Sequence, residues 1–365
     1  MFGRALSANR RVVVGMSGGV DSAVAAGILG LDVRAVFMRN WDTKDELSLS
    51  TVGGVKGCEW ERDWEDVKRV CHHLNIKDLK LVDLSKQYWY DVFEPSLDVW
   101  RDGRTPNPDI GCNKHIKFGA LLDLVLKNDD MLATGHYARI LNNHLCRGRD
   151  RLKDQSYYLS AIQRSVLDRV VFPLGTLEKS HVRSLARELR LPNAEREESM
   201  GICFVGERGN RFGAWLDDYV DNVPGYFLTE DNKPIGKHRG VHHYTIGQKA
   251  GIGGMPSKMF VAAKRDTDII VVNNSQHDLL KCKKIFTLGD TNWLADIPAK
   301  SFEAHAQVRH RQQETRCTVE VVDNKLEITY QEYEMAVAPG QVVAIYVGDI
   351  CVASATIDKT QSIID

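Results

Sequence analysis

No stretch of this 365-residue chain offers the roughly 18 to 20 uninterrupted apolar residues needed to cross a bilayer. No apolar segment near residue 1 stands ahead of a small-residue cleavage site, so neither membrane insertion nor secretion is indicated. Cysteine is scarce. The eight residues, at 58, 71, 112, 146, 203, 282, 317 and 351, include no CxxC pair. They are too few for a disulfide framework and lack the close spacing of a structural zinc site. They read as thiols of a reducing compartment, most for packing and some for chemistry. An excess of charge is missing too: 48 Lys and Arg face 49 Asp and Glu, so a nucleic-acid partner would be held by local basic patches. Internal repeats and low-complexity segments are absent.

What is present is enough apolar sequence, 43% of the chain, for two or three cores. Residues 1–10 with Arg11, MFGRALSANRR, carry three arginines and no acid, and read as a tail or a mitochondrial presequence. Residues 11–206 alternate strand-like runs (RVVVGM, VRAVFM, LKLVDL, MLATG) with helical ones (Asp21 to Leu29, ERDWEDVKRVCHHL, HIKFGALLDLVL, SHVRSLARELRLP). That order predicts an α/β fold with a doubly wound parallel sheet, with ligands beyond the strand C-terminal ends. Residues 207–276 are rich in glycine, proline and turn dipeptides and read as a small, mostly β domain. Residues 277–365 alternate with period two, as in TVEVV, KLEITY and QVVAIYV, and predict a C-terminal β-barrel.

The first strand runs into GMSGGVDS, residues 15–22. Glycines between a strand and a helix bring several backbone N–H groups together at a helix N-terminus, a natural anion site. GxxxxGK[ST] and GxGxxG are both absent. With Ser17 and Ser22 as hydroxyl donors and Asp21 as a candidate Mg²⁺ ligand or helix cap, the loop suits a pyrophosphate. SGGVDS resembles the pyrophosphate loop of the N-type ATP pyrophosphatases (PP-loop superfamily), which adenylate a carbonyl oxygen and then displace AMP with a nucleophile.

Two cysteines bear on which nucleophile. Cys112, in PNPDIGCNKHIKF, is expected just ahead of a helix beginning near Asn113, with Lys114, His115 and Lys117 following, a setting that favours thiolate. Cys203 lies in ESMGICFVGER with Arg208 behind it. Taken singly, each also reads as a buried core cysteine. Together with FMRNWD, ATGHYARI, KDQSYYLS, YTIGQKAGIGG and APGQ, these stretches resemble the tRNA-specific 2-thiouridylase family from about residue 11 to about residue 358, with spellings most like its mitochondrial members.

The resemblance implies ATP-dependent 2-thiolation of the wobble uridine of a tRNA: adenylation of uracil O2, release of pyrophosphate, then persulfide sulfur transfer. It implies that Gly15, Met16, Ser17, Gly18, Gly19, Val20, Asp21, Ser22 and Met38 hold ATP with Mg²⁺, with Gly135 near the adenosine. Asn107, Pro108 and Asp109 would meet the target base, Cys112 would be the catalytic nucleophile, and Cys203 would carry the persulfide. Asp109 is a candidate general base, or a turn residue of NPD. His136, Lys153, Asp154, Gln155, Arg309, His310 and Gln341 would contact the anticodon stem-loop. Arg147, Arg149, Arg151 and Arg311 add positive charge to the same two runs. The partners implied are tRNA and a sulfur-donor protein, a cysteine desulfurase or relay, in the mitochondrial matrix or otherwise the cytoplasm. A zinc reading of Cys58, Cys71, His72 and His73 is weak, because Cys71 falls on an apolar helix face. An iron–sulfur cluster on Cys112 and Cys203 would need a third ligand that the sequence does not identify. Nitrogen or amine transfer on the same loop, and a nucleotide- or RNA-binding protein without catalysis, are the rival readings.

Overall fold

The computed structural model describes residues 11–30, 33–41, 60–127, 129–197 and 212–364. Residues 1–10, Cys58, Cys203 and Arg208, all singled out above, lie outside the described residues.

The run VVVGM forms β1 (Val12–Met16), apolar on both faces and almost wholly buried, as expected of a central parallel strand covered by helices. It pairs in parallel with β2 (Val33–Arg39) on one side and β4 (Met131–Thr134) on the other. With β3 (Leu79–Asp83) and β7 (Val170–Val171) they make a five-stranded sheet, order β3-β2-β1-β4-β7. The chain builds outward from β1 to β3 and then crosses to β4, so the strand order reverses between β1 and β4, where a doubly wound sheet opens a crevice. Helix α1 (Val20–Leu29) buries Ala23, Val24, Ala25 and Ala26 and ends at Gly30, whose φ of +88° favours glycine. Helix α2 (Trp60–His73) buries Val67, Val70 and Cys71 on one face, the face its apolar spacing predicts. Among the described residues no helix is long and apolar enough to cross a membrane.

β8 (Gly225–Leu228), β9 (Pro234–His238), β10 (Phe260–Arg265) and β11 (Asp268–Val272) form a separate four-stranded sheet, order β10-β11-β8-β9, over a core of Phe227, Val261, Ile269 and Val271. The last six strands are β12 (Lys281–Trp293), β13 (Ser301–Gln307), β14 (Thr315–Val322), β15 (Lys325–Met335), β16 (Val342–Val347) and β17 (Ile350–Ser362). They follow one another as β12-β15-β14-β13-β16-β17 and close through β12–β17 pairing, an antiparallel barrel filled by Ile285, Val319, Ile328, Ile345 and Ile357.

One connection was not anticipated. Residues 138–147 fold into a hairpin of β5 (Ala138–Leu141) and β6 (His144–Arg147), and β6 pairs with β17, so the barrel sheet continues into the catalytic half. Its signal is the pair Asn142–Asn143, with φ +51° and +60°, the left-handed turn of a two-residue hairpin.

Candidate active site

The glycine loop sits where β1 hands over to α1. Ser22 Oγ donates to Gly19 O (3.0 Å) and accepts from Ser17 N (3.1 Å), while Ser17 Oγ lies 3.2 Å from Ser22 Oγ; the two hydroxyls thus fold the loop on itself. Gly18, at φ +79°, has no space for a side chain, because a Cβ there would stand 2.8 Å from Asp63 O. Its carbonyl accepts from Asn193 Nδ2 (2.8 Å) and Arg196 Nη1 (3.2 Å), and Arg196 is itself paired with Asp63 and Asp66 of α2. The carbonyl thus ties the loop back to α2, while Gly19 N donates to Ser17 Oγ at 3.4 Å. Gly135, after β4, packs so closely on the start of α1 that a Cβ would lie 2.8 Å from Ser22 N. Asp21 caps no helix: its oxygens take Lys179 Nζ at 2.7 and 2.8 Å and Tyr137 OH at 2.8 Å.

Residues 37–41, the described part of FMRNWD, lead from the end of β2 toward the crevice. Met38, next to last in β2, is half-buried against the core, and Trp41 is buried with Phe93 (5.0 Å) and Trp89 (5.7 Å). Between them Asn40 is buried and directs Nδ2 to Cys112 Sγ at 3.6 Å, while its Oδ1 has no hydrogen-bond partner among the described residues. Cys112 is thereby brought to the C-terminal end of the same parallel sheet as the glycine loop.

The helix around Cys112 starts earlier than expected. It begins at Pro108, not near Asn113, with Asn107 as its N-cap accepting from Ile110 N at 3.3 Å; Asn before Pro is a start signal that the sequence reading passed over. Cys112 therefore lies a full turn inside, with its own N–H bonded to Pro108 O and Asp109 O, and not among the free amides. From Cys112 to Ala120 the helix is π-wound, an irregularity often found at functional sites. Asp109, one helical turn before Cys112, is half-buried, and burial pushes its carboxyl up to about 6 against the opposing pull of Lys117. His136, between Phe118 and Phe172, has Nδ1 2.7 Å from Thr134 Oγ1 and Nε2 3.5 Å from Lys117 Nζ. Burial, and then Lys117, hold it well below the usual histidine value, so the imidazole is neutral.

The residues expected at RNA divide into two sets. Lys153, Tyr158, Arg309, His310 and Arg311 gather where the barrel meets the catalytic half. The His310 ring lies 4.5 Å from that of Tyr158, and burial with Arg311 and Lys153 nearby pushes His310 down to about 4. One guanidinium nitrogen of Arg309 is buried without a partner among the described residues. The other set is turned inward. Asp154 is buried and accepts from Gly148 N (2.7 Å) and Ser156 Oγ (2.8 Å). Gln155 bridges the backbone of Tyr137. Gln341 donates to Thr105 O (3.0 Å) and Pro106 O (2.8 Å) and accepts from Asn107 (3.2 Å). Arg147 is buried over the Tyr346 ring at 3.5 Å, and Arg151 pairs with Asp349; neither is a plain phosphate contact. Cys146, Cys282, Cys317 and Cys351 are buried, as packing thiols should be.

Residues 10–207 match the family described as tRNA methyl transferase HUP domain, residues 213–274 the tRNA methyl transferase PRC-barrel domain, and residues 283–357 the aminomethyltransferase beta-barrel domain. The tRNA-specific 2-thiouridylase MnmA of Oceanobacillus iheyensis is 42% identical over 362 residues, covering 95% of each chain. The protein of the same name from Hahella chejuensis is 40% identical over 368 residues, covering 96% of this chain and 98% of its own. The chain belongs to the tRNA-specific 2-thiouridylase family. A solved U34-tRNA thiolase, NcsA of Methanococcus maripaludis with its 4Fe-4S cluster, overlaps 59% of this chain and 67% of its own at 17% identity and TM-score 0.35, too slight a likeness to carry an argument.

Within this 2-thiouridylase, several residues at the crevice escaped the sequence reading: Asn40, Tyr137, Lys179, Asn193 and Arg196. Asn40 and Tyr137 sit inside the quoted motifs FMRNWD and ATGHYARI and were available to it. Lys179, Asn193 and Arg196 reach the loop from 158, 175 and 178 residues further along, with no local pattern to mark them.

Proposed function

We propose that this chain performs ATP-dependent 2-thiolation of the wobble uridine of tRNA. The observation that carries the reading is the meeting of the glycine loop, Asn40 and Cys112 at the C-terminal ends of β1, β2 and β4, so that nucleotide activation and thiol chemistry share one crevice. ATP would take its phosphates at the amides of residues 15–22, with Met38 and Gly135 beside the nucleoside. Lys179, now neutralising Asp21, stands ready to follow the negative charge to the phosphates. Mg²⁺ would come with the nucleotide; Asp21 fits it only after giving up Lys179, and the metal's contribution is neutralisation of phosphate charge.

The uracil O2 attacks the α-phosphorus and pyrophosphate leaves, turning a poor leaving group into AMP. Cys203 brings a persulfide loaded by a sulfur-donor protein. The Cys112 thiolate attacks Cys203 Sγ, expelling the outer sulfur as hydrosulfide, which adds to C2 and displaces AMP; a disulfide between the two cysteines remains for a reductant to reopen. Asp109, with its raised carboxyl value, is placed to take a proton at working pH. Asn107, held by Gln341, and Pro108 would border the base, which must leave its stack in the anticodon loop to enter. Lys153, Arg309, His310 and Arg311 would meet the RNA directly. Asp154, Gln155 and Gln341 would serve it by shaping the surface on which it rests, and His136 from inside the crevice. The relatives compared are bacterial and lend no support to a mitochondrial address, which rests only on residues 1–10 and motif spelling.

The test is an incubation of protein, ATP, Mg²⁺, a persulfide donor and unmodified tRNA, reading pyrophosphate and 2-thiouridine. Wild type yields both. Cys112→Ser and Cys203→Ser yield no 2-thiouridine from a persulfide donor; if both retain full thiolation, the reading fails.

A further inference from the structure

Just after the helix Phe212–Leu216, the Asp217 carboxylate faces two consecutive histidines from the 3₁₀ turn Val241–His243 of the central sheet domain. Asp217 Oδ1 lies 2.9 Å from His243 Nε2 and 3.4 Å from His242 Nε2. Asn222 Oδ1 is 3.0 Å from the same His243 nitrogen, and the carboxylate and imidazole donors all lie within 4.8 Å of one another. Four ligands held tetrahedrally at about 2.0–2.1 Å from zinc stand roughly 3.3 Å apart; the two Asp217 distances straddle that figure. The His242 ring is buried, and the Asp217 side chain is only 12% exposed.

Two glycines make the convergence possible. A Cβ on Gly240 would lie 2.5 Å from His242 Cε1, and one on Gly213 would lie 2.8 Å from His243 Nδ1, so each segment gives up a side chain to admit a ring of the cluster. Arg239 pairs with the outer oxygen Oδ2 from the exposed side, leaving Oδ1 directed inward. The four donors are two imidazoles and two oxygens, a set that suits zinc.

We propose that Asp217, His242, His243 and Asn222 bind one divalent metal of zinc type. Its place gives it a structural role. It fastens residue 217 to the central domain, while Trp215, two residues before, packs against Phe93 (5.6 Å) and Trp41 (6.4 Å) of the catalytic half. None of the four residues belongs to the glycine loop or to the Cys112 helix, and the proposal does not depend on the thiolation reading.

The full-length protein, stripped with a chelator, would be titrated with zinc alone, without ATP or tRNA. Metal per chain is measured by elemental analysis after desalting, and geometry by the visible absorption of a cobalt(II) substitute. One equivalent is expected in wild type and in Cys112→Ser, with the absorption of tetrahedral cobalt. Asp217→Asn and His243→Gln, which keep hydrogen-bonding shape, should lose affinity at least tenfold, and Asp217→Glu should retain part of it. The proposal is overturned if wild type binds no metal, or if the bound metal survives both substitutions in folded protein, as it would on adventitious thiols.

Discussion

Asn40 is the residue whose role is most sharply defined by what it touches. Its amide donates to the Cys112 sulfur, and a donor to a thiolate stabilises the charged form. Asn40→Ala should slow 2-thiouridine formation at least tenfold, on the scale of losing one aimed donor, and slow alkylation of Cys112 by iodoacetamide at fixed pH, while pyrophosphate release persists; unchanged alkylation would count against it. Asp109 supplies a pH test. Burial raises its carboxyl from 3.8 to about 6, so the folded state resists ionising it. That penalty is absent below about pH 4, grows between about 4 and 6, and is complete above. Asp109→Asn should therefore raise Tm at pH 7.5, leave it unchanged near pH 4, and abolish thiolation; a Tm gain that persists undiminished at pH 4 would refute the assignment.

At the scale of elements, the strand-to-helix junctions hold the crevice together. Gly135 approaches the backbone of α1 so closely that a methyl group must displace main chain. Gly135→Ala should cost about 1–3 kcal/mol of stability, the usual range for overpacking, and weaken ATP binding more than tRNA binding, read by chemical denaturation and by nucleotide titration. The parallel sheet and its loop were legible because local patterns carry them: an unbroken apolar strand, glycines at its end, then a helix. The start of the Cys112 helix was equally local, in Asn107–Pro108, but the cationic residues after Cys112 drew the boundary too late. Partners of the loop such as Lys179 and Arg196 were not legible, since side chains that meet only through tertiary packing leave no periodic trace. The same is true of Asp154 and Arg147, charged residues in a basic run that burial turned inward to pair with each other at 3.4 Å. Composition alone could not tell that face from a solvated one.

At the scale of the whole molecule, the barrel reaches into the catalytic half. Gln341 grips residues 105–107 with three hydrogen bonds, so Gln341→Ala should lower kcat for thiolation about tenfold with the ATP affinity intact, measured by steady-state kinetics and nucleotide binding. tRNA binding should weaken steeply with salt, and Arg311→Ala should reduce the slope of log K against log salt by about 1 if it meets a phosphate. The pairing of Cys146 with Ile350 reaches further still. On the ribosome the hairpin of residues 138–147 emerges about 200 residues before the strand that completes it, and its open edge must wait, exposed to other chains, until β17 has been made. A premature stop shortly before residue 350 would thus remove all of β17 and leave the earlier-made half with an unsealed seam, a defect felt about 200 residues upstream.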